Sequence, residues 1–146
     1  MKFSLLVCLF VLWLNMDISL SQNEPAGCEN PPPLLHGDIK YAMKSQYNHN
    51  ERVEYMCQRY HTMEGEPYRT CVNGEWTGQL RCLKPCTVDD IDLRQRNIEF
   101  RYNNHRKLYA AHNDVIEFQC TQTRPVGAMR LKCNDGVIPL PTCSCQ

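Results

Sequence analysis

The sequence predicts an all-β protein made of two tandem small modules, each stapled by disulfides. Three observations carry the prediction. Cysteines recur in two sets of four, Cys28, Cys57, Cys71 and Cys82 followed by Cys86, Cys120, Cys133 and Cys143, with equivalent members 58, 63, 62 and 61 residues apart. Apolar and polar residues alternate ahead of the second cysteine of each set, and an Asn-Gly or Asp-Gly pair follows the third. A period near 60 in a chain of 146 residues marks a duplicated unit.

The elements follow in chain order. Met1–Lys2, the apolar run from Phe3 to Leu14, and the small residues Ser19 and Ser21 read as a secretory signal over residues 1–21, cut before Gln22. That run is too short to span a bilayer, and no later stretch approaches the roughly 20 apolar residues a span needs. The expected product is secreted and extracellular. There the nine remaining cysteines read as a disulfide framework rather than as metal sites or catalytic thiols. No paired spacing suits zinc, so neither metal nor cofactor is expected. Lysine plus arginine number 16 against 16 acidic residues, and this balance disfavours a nucleic-acid binder.

The first module is expected over residues 22–84 and the second over 85–146. Pro31-Pro32-Pro33 enforces an extended start to the first. Arg52-Val53-Glu54-Tyr55-Met56-Cys57 and Val115-Ile116-Glu117-Phe118-Gln119-Cys120 place apolar residues two and four before the cysteine, the period of a strand with one wet face. Asn73-Gly74 and Asp135-Gly136 are hairpin signals, and Ile138 stands in the second copy where Trp76 stands in the first. The best helical candidate is Asp89–Arg96, where Asp90, Ile91 and Leu93 suit a single turn that is too short to stand alone. Leu83-Lys84-Pro85 forms a joint pinned by cysteines at both ends, which should restrict bending. Modules of this size have little core, so each cystine should contribute about 2–4 kcal/mol.

The pattern Cys28-x-x-Pro31-Pro32, Gly37-x-Ile39, Tyr55-x-Cys57, Cys71, Asn73-Gly74-x-Trp76 and Cys82 resembles the complement control protein module, also called sushi or short consensus repeat. Sequence alone leaves three connectivities per module. The resemblance implies first-to-third and second-to-fourth bonds: Cys28–Cys71, Cys57–Cys82, Cys86–Cys133 and Cys120–Cys143. The joint Cys82-Leu83-Lys84-Pro85-Cys86, the run from Asn97 to Tyr109 and the ending Pro141-Thr142-Cys143 are similar to the last two modules of factor H and the factor H-related proteins. That likeness implies binding to the thioester-derived fragment of the activated third complement component, and to heparin or sialylated surfaces. Without factor H's regulatory modules, it implies competition with factor H or tethering.

Arg94, Arg96, Arg101, His105, Arg106 and Lys107 gather potential cations around Tyr102 and Tyr109. Arginine offers a planar fork for carboxylate or sulfate, and a flat ring beside it can stack on a sugar or fill a partner's pocket. The ligand-binding residues implied by the resemblance are Arg101, Tyr102, His105, Arg106 and Lys107. The bland alternative is a solvated basic loop, offset by Asp89, Asp90 and Asp92. The Thr121–Lys132 loop is short for the family and keeps only Arg124, Arg130 and Lys132, which predicts reduced polyanion affinity. Nine cysteines cannot all pair within the chain, and Cys145 is the expected unpaired one. Cys120 can close with Cys143 or Cys145, and the leftover thiol is capped or joins a second chain in a disulfide-linked homodimer.

The histidines show no metal-ligand spacing and no nucleophile motif is present, so an enzyme is not expected. Two readings remain: a secreted complement-binding protein that modulates or competes with factor H, and a structural or carrier sushi subunit that holds another plasma protein or dimerises. The segment Arg101–Tyr109 favours the first; Cys145 and the short loop favour the second.

Overall fold

The computed structural model describes residues 23–102, 107–122 and 124–144. The expected signal segment, His105, Arg106 and Cys145 lie outside them. Among the described residues, thirteen strands form small antiparallel sheets and one short helix joins them, around two separate clusters of buried side chains. The first holds Cys28, Tyr47, Val53, Tyr55, Cys71 and Leu80. The second is built from Cys86, Val88, Ile98, Phe100, Phe118, Cys133 and their neighbours. The class is all-β, as the alternation and turn signals predict.

In the first module, β1 (Gly37–Ile39), β2 (Arg52–Cys57), β4 (Tyr68–Val72) and β5 (Glu75–Thr77) form one sheet in that order. β3 (Thr62–Gly65) pairs with β6 (Leu80–Leu83) apart from it. In β2 the side chains of Val53 and Tyr55 are buried while those between them are not, as period-2 alternation demands. Tyr55 spends its hydroxyl on the Pro32 carbonyl at 2.7 Å, so the extended proline segment is fastened to the core. Trp76 packs edge-on to Tyr47 at 5.0 Å and donates its indole N–H to the Glu29 carbonyl at 3.1 Å.

The second module repeats this frame. β8 (Ile98–Phe100), β10 (Val115–Cys120) and β12 (Arg130–Lys132) stand where β1, β2 and β4 stand, and β11 (Arg124–Val126) pairs with β13 (Thr142–Ser144) as β3 does with β6. β10 buries Ile116 and Phe118 in the same pattern as β2. What differs is the start. In the first module Cys28 makes a lone bridge to Tyr47; in the second, β7 (Cys86–Asp89) pairs with β9 (Lys107–Ala110) over four residues.

Between β7 and β8 lies α1 (Asp90–Arg96), seven residues long. The sequence suggests one turn, and the difference comes from its ends. Asp89 is an N-cap whose carboxylate accepts from the Ile91 and Asp92 N–H groups, Asp92 bonds back to the Asp89 N–H, and Asn97 closes the far end at φ 55°. Leu93 alone is buried, so packing against β7 and β8 holds what propensity would not.

Four cystines close the modules: Cys28–Cys71, Cys57–Cys82, Cys86–Cys133 and Cys120–Cys143, with Cα atoms 5.6 to 5.8 Å apart. Of the two closures open to Cys120, the bond is to Cys143. Asn73 and Gly74 have φ of 51° and 85°, and Asp135 and Gly136 have 45° and 82°. Two successive positive values define the type I′ hairpin turn, which Asn-Gly and Asp-Gly accommodate with least strain. Each turn is fastened by a histidine: the Asn73 N–H donates to His49 Nδ1 at 3.1 Å and the Asp135 N–H to His112 Nδ1 at 3.0 Å.

The modules touch across the joint. Tyr60 stacks on Tyr109 with centroids 5.1 Å apart, and the Lys84 N–H donates to Asp135 Oδ1 at 2.8 Å. That bond holds the Asp135 carboxyl below the usual aspartate range, and the charges of Arg81, Lys84 and His112 act in the same direction.

Candidate binding groove

The strand alternation of β8 buries Ile98 and Phe100, and the chain then turns outward at Arg101. The Arg101 N–H donates to the Glu117 carbonyl at 3.1 Å, so its backbone is fixed to β10. Glu117 sits between buried Ile116 and Phe118, on the opposite face of β10, and pairs in register with Arg130 of β12. Its carboxylate is shared: Arg101 Nη1 lies 3.8 Å from one oxygen and Arg130 Nε 3.5 Å from the other. Exposed pairs of this kind contribute less than about 1 kcal/mol, so an incoming anion can compete for both guanidinium groups.

Arg101 lies 5.4 Å from the ring of Tyr102, which is 74% exposed. Lys107 opens β9, paired in register with Asp89, and its ammonium stands 5.0 Å from the Tyr109 ring. Interaction with Tyr109 holds the Lys107 ammonium above the ordinary lysine range, and the Asp89 charge adds to this. Tyr102, Tyr109, Phe100, Ile116, Glu117 and Arg130 line one groove of about 360 Å³. Its floor is apolar and its rim carries two tyrosines; Arg130, Glu117 and Asp114 are its charged residues, and Arg101 stands beside Tyr102 at its edge. Such a surface suits recognition of a ligand bearing both a carboxylate or sulfate and an apolar face. Among the described residues no group of three or more His, Cys, Asp or Glu side chains could hold a metal ion.

The structure brings Tyr102 to one edge of this groove with Arg101 beside its ring, and Lys107 beside Tyr109 on β9. Arg96 is elsewhere: its guanidinium donates to the Leu140 carbonyl at 3.3 Å and fastens α1 to the segment before β13. Arg130, which the sequence offers only as a remnant of a basic loop, is instead a groove residue, and Glu117 joins it. The signal for Glu117 was the period-2 pattern of β10, which puts it on the wet face opposite the core; Arg130 reaches it only through the β10–β12 register.

A family model of the sushi repeat (SCR repeat) matches residues 28–82, from the first cysteine of the first module to the fourth. The chain is a sushi-repeat protein. It is 32% identical to complement factor H of Bos taurus over 94% of its length, and 34% identical to complement factor H-related protein 2 of Homo sapiens over 80%. It is also 29% identical to the coagulation factor XIII B chain of Homo sapiens over 80% of its length. This sushi chain spans 11%, 44% and 18% of those three relatives respectively, so it corresponds to part of each. Among the described residues, no helix is long and apolar enough to cross a membrane.

Proposed function

We propose that this sushi protein is an extracellular binding protein of the complement system. In this reading it recognises fragments of the activated third component through the second module and thereby modulates or competes with factor H. The observation that carries the reading is the similarity to factor H and to factor H-related protein 2 over at least 80% of the chain. The exposed Arg101, Tyr102 and Lys107 around a groove with an apolar floor supply chemistry fitted to a protein surface with acidic groups. Surface polyanions are secondary ligands here, because Glu117 partly neutralises Arg101 and Arg130.

The test is binding of refolded residues 22–146, with four cystines verified, to the immobilised thioester-containing fragment. Saturable binding that factor H displaces, and that weakens at least tenfold in the double variant Arg101→Ala/Lys107→Ala, is the expected result. Glu117→Gln should strengthen binding two- to fivefold, since it frees two guanidinium groups from an exposed pair. No binding by correctly bonded protein would overturn the complement reading. The carrier or dimer reading would then stand, in line with the similarity to the factor XIII B chain.

A further inference from the structure

A second cavity, of about 410 Å³, lies where the first module meets the joint. Leu34, Leu35 and Leu80 give it apolar walls, and Arg69, Arg81 and Lys84 line it together with a single acid, Asp135. The charges there are unevenly satisfied. Arg81 is paired with Glu64, and Asp135 already accepts the Lys84 backbone N–H. Neither the Arg69 guanidinium nor the Lys84 ammonium has a carboxylate within 4.0 Å among the described residues. Arg69 lies 5.5 Å from the Tyr55 ring, and its Nε is buried with no hydrogen-bond partner. A buried donor without a partner is costly, and the residue that carries it, Arg69, lines this cavity.

We propose that this cavity receives an acidic side chain of a partner protein. Its carboxylate would sit with Arg69 and Lys84 while a neighbouring apolar side chain rests on Leu34 and Leu35. Leu35 is 76% exposed beside the opening and offers the apolar contact that a bare anion would not use. No Phe, Tyr or Trp lines the cavity for a sugar ring to stack on, and Asp135 on its wall opposes a polysulfated chain. Apart from Asp135 the cavity is lined by residues of the first module, and it shares no residue with the groove around Arg101.

The experiment is an NMR titration of nitrogen-15-labelled chain 22–146 with the peptide acetyl-Leu-Glu-Leu-amide, following the Arg69 Nε–Hε resonance. The controls are the same peptide with Gln for Glu, and a heparin octasaccharide. The expected result is that the Glu peptide moves the Arg69 signal and the Gln peptide does not. Arg69→Gln and Lys84→Gln should each weaken binding about tenfold, the size of one charge-assisted hydrogen bond. Lys84→Gln keeps the backbone N–H that Asp135 accepts, so it reads ligand contact even where Arg69→Gln disturbs the Tyr55 core. An Arg69 signal unmoved by millimolar Glu peptide, or unchanged affinity in Lys84→Gln, overturns the proposal. Heparin moving that signal where the peptide does not overturns it too, in favour of an acidic glycan. Binding of the complement fragment through Arg101 and Lys107 is measured separately and does not depend on either outcome.

Discussion

The two modules keep one backbone and fill it differently. Asn50 and Asn113, Asn73 and Asp135, Gly65 and Gly127, and Gly74 and Gly136 all take positive φ at equivalent places. Asn50 and Asn113 donate backbone N–H groups to the carbonyls of Cys71 and Cys133 at 2.7 and 2.9 Å. The cores do not match. The first module uses Trp76 against Tyr47; the second places Ile138 at the Trp position and packs Phe100 on Phe118, with centroids 5.7 Å apart. From Cys28 to Cys57 is 29 positions, and from Cys86 to Cys120 is 34. The added length coincides with α1, the β7–β9 ladder and the segment that carries Arg101 to Lys107. Cystines and turn dihedrals thus fix the frame, while side chains inside it and length ahead of the second cysteine are free to vary.

Removing a cystine should test that division most severely. Cys86→Ala/Cys133→Ala is expected to cost about 3–5 kcal/mol and unfold the second module. From Gln22 onward the chain has one tryptophan, Trp76, so its emission reads the first module alone. Native Trp76 emission beside lost near-ultraviolet signal would show separate folding; a shift of both together would mean that the modules fold as one. Next in size, Trp76→Ala should cost about 2–4 kcal/mol by urea denaturation and Ile138→Ala about 1 kcal/mol, since the smaller, half-buried side chain leaves less unfilled space. Equal costs would undo the contrast between the cores. Asp89→Ala removes the N-cap of α1 and should cost about 1 kcal/mol, confined to the transition of the second module.

The smallest effect concerns the joint. Because the folded Asp135 carboxyl titrates lower than an unfolded one, its contribution is complete above the ordinary aspartate range and is lost as pH falls through the depressed value. Acid titration should therefore loosen the contact between modules only below that range. Asp135→Asn should remove the pH dependence, measured by cross-relaxation between the rings of Tyr60 and Tyr109.

The duplicated frame was legible because its signals are local: cysteine spacing, alternation before Cys57 and Cys120, and Asn-Gly or Asp-Gly at the turns. The groove was legible only in part. Arg101, Tyr102 and Lys107 stood out as a cation and aromatic cluster in the chain. Glu117 and Arg130 meet them across strands, however, and no linear window contains that register. Arg96 has the same composition signal as Arg101 yet serves as a fastener, because α1 turns it toward Leu140. The ring acceptors His49 and His112 carried no motif, since their partners are backbone N–H groups more than twenty residues away.

Leu83 and Cys86 are both buried, and only Lys84 and Pro85 separate them. The joint is consequently a ruler with no slack. One inserted residue would change the phase of the second module, separate Tyr60 from Tyr109 and move the Lys84 N–H away from Asp135. Insertions between cysteines only lengthen a loop. A lineage of such chains can gain modules by duplication and lengthen their loops at little cost, but the spacer that joins two modules must be inherited whole.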